Sequence, residues 1–160
     1  MKKIIFNILI FSFIGAFLGV LSKMLDIYTT NLGNIFSELS IWILFGVFIV
    51  YFSKTRKEAM INVFLFCVGM LISYYLTAEF THSIYAKNFI IGWSIFSLFS
   101  PIFAYFTWFT KRKGAFGKII SLGILLFTLL ASIFLFDGPR WYDILILALL
   151  FYILFMRKKD

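Results

Sequence analysis

Six long apolar blocks divide this chain, and short knots of charge separate them. The blocks run over roughly residues 4–21, 35–52, 59–76, 88–109, 119–136 and 141–156. A helix needs about 20 residues to cross the hydrocarbon of a bilayer, with a tolerated minimum of about 17. The sixth block is short and has to recruit its flanks. The second starts at Ile35 if it takes in Glu38, and near Ile41 if it does not. None of the blocks alternates apolar and polar residues as the strands of an outer-membrane barrel do. The expected fold is therefore all-α: a single polytopic membrane domain of 160 residues, built as a bundle of six transmembrane helices. Composition agrees, with 62% hydrophobic, 22% aromatic and only 14% charged residues. A soluble domain carries about 25% charged residues, and a water-facing core of this size would lack the polar surface to cover it.

The charges are bunched, and most of them are basic. Twelve of the fifteen Lys and Arg fall in alternate connections: Lys2 and Lys3; Lys54, Arg56 and Lys57; Lys111, Arg112, Lys113 and Lys118; Arg157, Lys158 and Lys159. Lys23, Lys87 and Arg140 occupy the others. Cytoplasmic loops retain Lys and Arg because carrying them across the bilayer is unfavourable. This split predicts both termini on the cytoplasmic side of a bacterial cell membrane. The abundance of Lys, Ile and Phe fits a low-GC bacterium. The net charge of +8 then reads as orientation and as contact with anionic lipid at the cytoplasmic face. No nucleic-acid motif accompanies it. The start, MKKIIFNILIFSFIGAFLGV, has the charged head and apolar run of a secretory signal. It lacks a convincing small-x-small cleavage site and is long enough to span, so it is read as the first crossing.

Five of the seven acids fall on the opposite, outer side: Asp26, Glu38, Glu79, Asp137 and Asp143. The sole histidine, His82, joins them. Solvated loop groups would account for this pattern, and so would an outward-facing vestibule for a polar or cationic solute. Glu38 is the leading candidate, because it sits three residues ahead of an unbroken apolar run and a charge at that depth is costly unless paired. Lys23 and Arg140 are its candidate partners. A binding site there would draw on Glu38, Asp26, Trp42, Tyr74, His82 and Arg140, with Tyr28 nearby and the polar stretch 22–35 folding over the mouth. In FDGPRWYD, Gly-Pro sets a turn, Arg140 lies between two aspartates, and Asp143 suits the first turn of a helix.

Small and polar residues mark packing faces. Gly15 and Gly19 form a GxxxG pair, which lets two backbones approach where lipid supplies no hydrophobic drive. They serve packing within the bundle or docking to a membrane partner or a second copy. Asn62 and Gly69 share a side of the third block, and Asn62 is expected to hydrogen-bond across helices. Pro101, preceded by Ser94, Ser97 and Ser100, frees a backbone carbonyl and predicts a kink that the serines re-satisfy. Trp42, Trp93, Trp108 and Trp141 stand near block ends, where interfacial belts belong. Cys67, the one cysteine, has no disulfide partner and reads as a small core hydrophobe.

Chemistry is mostly excluded. No HExxH, P-loop, GxSxG or Cys/His cluster occurs, so no metal, no cofactor and no enzymatic activity is expected, a carboxylate-based lipid enzyme being the remaining catalytic option. In size, topology and the small face Gly15, Ala16 and Gly19, the chain is similar to the substrate-binding subunits of energy-coupling factor transporters. That resemblance implies a small six-helix protein that binds a solute and docks a partner through its first helix. The expectation is a solute-binding, transport-type membrane subunit with an acidic outer mouth. The alternative is a non-catalytic accessory, regulatory or immunity-type protein that binds another membrane complex.

Overall fold

The structure, a computed structural model, describes residues 2–29, 35–36, 38–85 and 87–156. It is helical throughout, and no strand occurs among the described residues. Helix α1 spans Lys2–Tyr28, α2 Leu39–Phe52, α3 Arg56–Phe80, α4 Lys87–Trp108, α5 Ala115–Leu135 and α6 Trp141–Phe151. A 3-10 turn, Phe109–Lys111, follows α4, and a π turn, Tyr152–Met156, extends α6. Segments within α1, α3, α4 and α5 are long and apolar enough to cross a membrane, whereas α2 and α6 are shorter apolar helices. At 1.5 Å per residue, the 14 residues of α2 reach about 21 Å, less than the roughly 30 Å of a hydrocarbon core.

The distribution of polarity is inverted relative to a water-soluble fold. Lys23, Glu38, Glu58, Asn62, Thr128 and Asp143 are all buried, while Phe13, Phe17, Leu98, Phe134 and Ile144 are more than half exposed. Apolar surface of this extent is far beyond the few hundred Å² that a soluble monomer tolerates. Several buried hydroxyls are satisfied inside their own helices: Ser121 donates to the Gly117 carbonyl at 2.8 Å and Thr128 to that of Ile124 at 2.8 Å. This is how a helix hides polar groups where no water is available.

Two contacts organise the bundle. The first is the α1–α3 pair. A Cβ placed on Gly15 would stand 2.3 Å from the Phe66 carbonyl oxygen, and one on Gly19 would stand 2.3 Å from that of Met70. From the other side, a Cβ on Gly69 would come within 2.9 Å of the Ser12 oxygen and 3.3 Å of the Ala16 nitrogen. The glycines of both helices therefore face each other, and the small face of α1 is occupied by α3. The second contact is the central position of α2, which packs against α3, α4, α5 and α6. Val50, Phe66, Met70, Leu150 and Leu154 fill the core around it.

The helices end where local chemistry stops them. Thr55 caps α3 by accepting from the Glu58 amide at 3.2 Å, and Glu58 reaches back to accept from the Lys54 amide, one residue before the cap, at 3.0 Å. His82, at φ 49, breaks α3 in the left-handed region, and Asp137, at φ 61, does the same after α5. Pro101 removes one donor from α4, and the Ser100 hydroxyl supplies the Ser97 carbonyl instead, at 2.8 Å. The Lys111 ammonium donates to the carbonyls of Val50, Tyr51 and Ser53 at 3.4, 3.3 and 2.9 Å and lies 3.9 Å from the Trp108 ring centroid. A cation there complements the carbonyl end of α2.

Side-chain contacts tie the connections together in two groups. Lys111 joins the α2–α3 turn to the α4–α5 turn, and Arg56 stacks over Tyr105 and Phe109. This is the basic end. Glu38 meets Arg140, and Lys23 meets the Ile84 carbonyl, which places the remaining connections together at an acidic end. The expected cap over that end, 22–35, is helical through Tyr28, and residues 30–34 lie outside the described residues, as do Arg157, Lys158 and Lys159.

The α1–α3 contact is testable. Gly19→Ala forces a methyl group against backbone and should destabilise the protein by about 1–3 kcal/mol, the usual cost of overpacking. Gly92→Ala meets open space and should leave the melting temperature of the detergent-solubilised protein unchanged or raise it slightly.

Candidate functional site

The candidate residues at the acidic end separate into two clusters. In the first, Lys23 is 1% exposed and donates to Asp26 at 2.7 Å and to the Ile84 carbonyl at 3.2 Å. Tyr74 donates to the same Asp26 oxygen at 3.1 Å, and its ring lies under the ammonium at 5.2 Å. Lysine and aspartate three residues apart on α1 share a face, and α3 brings the tyrosine. Asp26 is therefore committed to a cation of its own chain.

The second cluster joins the start of α2 to the start of α6. Glu38 is the residue just ahead of α2, in extended conformation at φ −93, ψ 147. The helix thus begins at Leu39, one residue after the carboxylate, and the extended backbone turns Glu38 toward α6. One Glu38 oxygen accepts from the Tyr142 hydroxyl at 2.5 Å and from Arg140 at 3.0 Å. Arg140 also donates to the Tyr142 oxygen at 2.8 Å. The guanidinium keeps 42% of its surface exposed, while Glu38 is nearly fully enclosed. Arg140 and Asp143 cap α6 together, the Arg140 amide donating to Asp143 at 3.0 Å. The position of Arg140 between two aspartates suits a local ion pair or a cap; Asp143 supplies the cap, and the guanidinium pairs with Glu38, for which it was one of two candidate partners.

Asp143 is fully buried. The second oxygen of Glu38 and the first of Asp143 are buried with no partner among the described residues. Burial pushes the Glu38 carboxyl above its ordinary 4.5; the Tyr142 hydroxyl lowers it, Asp143 raises it further, Arg140 lowers it, and burial prevails. The cluster links residues 38 and 143. No periodicity or motif connects them, and the only sequence signal was that each acid stands at the head of an apolar block.

The remaining candidates lie elsewhere. Trp42, one turn below Glu38, donates to the Phe36 carbonyl at 3.1 Å and stacks on Trp93 at 4.7 Å. His82 forms the exposed stop of α3. Asn62 donates to the Ser53 hydroxyl at 3.1 Å, holding α3 to the end of α2. Tyr28 is exposed. No hydrogen bond or ion pair joins the Lys23 and Glu38 clusters among the described residues.

A cavity of about 470 Å³ opens below Trp42. Four helices line it: α2 with Trp42, Gly46 and Val47, α3 with Val63 and Cys67, α4 from Phe96 to Thr107, and α5 from Ile119 to Phe127. Helices α4 and α5 make few direct contacts with each other, and half-exposed Phe103, Phe106 and Phe127 border the gap between them. Its hydroxyls are engaged, Ser100 with Ser97 and Thr107 with the Phe103 carbonyl at 2.8 Å. The volume falls within the roughly 300–1,000 Å³ of small-molecule sites. Sequence analysis missed this cleft, because its lining is drawn from four blocks of similar composition. Gly46 and Gly123, which leave room in its walls, were the available signal.

An all-helical bundle with buried charge, an apolar exterior and four helices of membrane-crossing length defines a protein of the integral-membrane class. Within that class, the chain belongs to DUF6518, a family of unknown function, whose match covers residues 1–157. No curated protein and no solved structure matches it.

The raised Glu38 carboxyl predicts a pH effect of defined sign. A carboxyl whose folded pKa is raised contributes stability that is complete below its unfolded value and declines as pH rises toward the folded one. Relative to Glu38→Gln, the native protein should therefore gain melting temperature as pH falls toward 4.5. Parallel melting curves for the two proteins across that range would refute a raised Glu38 carboxyl.

Proposed function

We propose that this protein is a membrane-embedded binding subunit of the transport type, located in a bacterial cell membrane, with six crossings, both ends cytoplasmic and the acidic end outward. We place its ligand in the cleft between α2, α3, α4 and α5. The observation that carries the reading is the cleft itself: a ligand-sized cavity with an apolar lining and a gap between α4 and α5. Such a gap suits entry from the bilayer. The vestibule expected for a cationic solute has less support, because Asp26 is paired with Lys23 and Glu38 with Arg140. The small depth of α2 and α6 is accommodated by their central packing and by local thinning of the bilayer.

The second reading, an accessory protein that binds another membrane complex, draws on α1. That helix packs mainly on α3, and Leu9, Phe13 and Phe17 on its other side are more than half exposed. Bilayer lipid covers such a face equally well, so the cleft reading takes precedence.

Thermal-shift measurements test the proposal. Apolar and amphiphilic compounds should stabilise the detergent-solubilised protein, and polar cations should not. Gly123→Phe fills the cleft from a position with no neighbour within 4 Å of its new Cβ and should abolish the stabilisation. Stabilisation by cations that is lost in Glu38→Gln would restore the vestibule. Reporters fused to the two ends should both register the cytoplasm, and opposite compartments would refute the six-crossing arrangement.

A further inference from the structure

The cleft ends beside a cluster of positive charge that its lining does not use. Its lowest residues are Phe106 and Thr107 in the last turn of α4 and Ile119 and Ile120 near the start of α5. Lys118 adjoins Ile119, and Arg112 and Lys113 occupy the turn between the two helices. All three cations are exposed, and none forms an ion pair among the described residues. Lys111 is different: it is held by three carbonyls of α2 and by Trp108, and this anchors the turn against the bundle. Glu58, an acid at this end, is buried and accepts from the Lys54 amide. The first turn of α5 begins at Ala115, between Lys113 and Lys118, and a helix N-terminus favours an anion.

The two halves of this region specify an amphiphile. Within the cleft the hydroxyls of Ser100 and Thr107 are already bonded to their own helix, so a polar group placed there would find few partners. At the α4–α5 turn, next in sequence to the lowest lining residues, the available chemistry is cationic. A molecule that satisfies both has a hydrocarbon chain inside and a negative charge at the basic end. We propose that the cleft holds an acyl chain of an anionic phospholipid, with its phosphate at Arg112, Lys113 and Lys118. The inference rests on the reading of the cleft as the ligand site and names the ligand class. From Ile119 to Phe127 the wall of α5 runs about 12 Å at 1.5 Å per residue, so the chain lies along the gap between α4 and α5 with its head at the membrane surface. Clusters of Lys and Arg at that level are the usual partners of anionic lipid.

The test uses the full chain in detergent, titrated with phosphatidylglycerol or phosphatidylcholine of identical acyl chains and read by native mass spectrometry. The native protein should bind phosphatidylglycerol about ten-fold or more tightly, given three cations near the headgroup. Joint replacement Arg112→Gln, Lys113→Gln and Lys118→Gln should reduce that preference to near parity and leave phosphatidylcholine binding intact. Gly123→Phe should weaken both lipids. Gly46→Leu offers a second way to fill the cavity if Gly123→Phe fails to fold. A phosphatidylglycerol with a photoreactive group on its chain should label the peptide containing Cys67 in the native protein. Equal affinity for the two lipids would overturn the anionic headgroup and leave the cleft as an apolar site. A preference for phosphatidylglycerol that survives filling of the cleft, with no labelling at Cys67, would place the lipid on the surface and overturn both the inference and the cleft reading.

Discussion

Hydrocarbon has no hydrogen bonds to offer, and this constraint governs the rest of the structure. Each polar group within the bundle must find its partner in the chain itself. Helices meet the demand for the backbone. Ser121, Thr128 and Thr107 meet it by bonding back to a carbonyl of the preceding turn. Asn62 meets it across helices, through Ser53. With the outer surface given over to Phe, Leu and Ile, the interior is where small and polar residues collect. Close approach of backbones then does the work that hydrophobic burial does in water.

The same constraint explains the two ends of the molecule. At the basic end, Lys111 turns inward to cap α2 and its neighbours stay exposed, so one knot of charge supplies both a structural lock and a surface patch. At the acidic end, cations are used against acids pairwise, Lys23 with Asp26 and Arg140 with Glu38. Asp143 is used differently, as the cap that accepts from the Arg140 amide. A buried ion pair costs desolvation that its Coulomb attraction does not always repay, and Arg140 keeps its guanidinium partly in contact with solvent.

The helical blocks were legible because each is a long uninterrupted signal, and the basic connections were legible because charge cannot hide in such a composition. Gly15 and Gly19 were legible as a packing face, but α3 as its occupant was not, since GxxxG names no partner. The sequence placed Glu38 near the interface yet left its neighbours open between Lys23 and Arg140. The answer depended on Tyr142 and Asp143, which only the approach of α6 to α2 brings in. Asp26, Glu38, Trp42 and Tyr74, grouped from their shared end of the bundle, fell into separate clusters. Sharing an end fixes depth along the bundle axis and says nothing about position around it. The cleft was least legible of all, because a cavity is a property of how helices fail to meet, and α4 and α5 carry no mark of that in their residues.

The tight seam between α1 and α3 also bears on biogenesis. The glycines that need a neighbour are at residues 15 and 19, and the backbone they rest on is at residues 66 to 73. Translation delivers the first helix to the membrane about fifty residues before its seat exists. Until then the glycine groove of α1 stands open, and of the helices that follow it only α2 has been made. The order of synthesis thus makes the arrival of α3 the step that commits the nascent chain to its final arrangement.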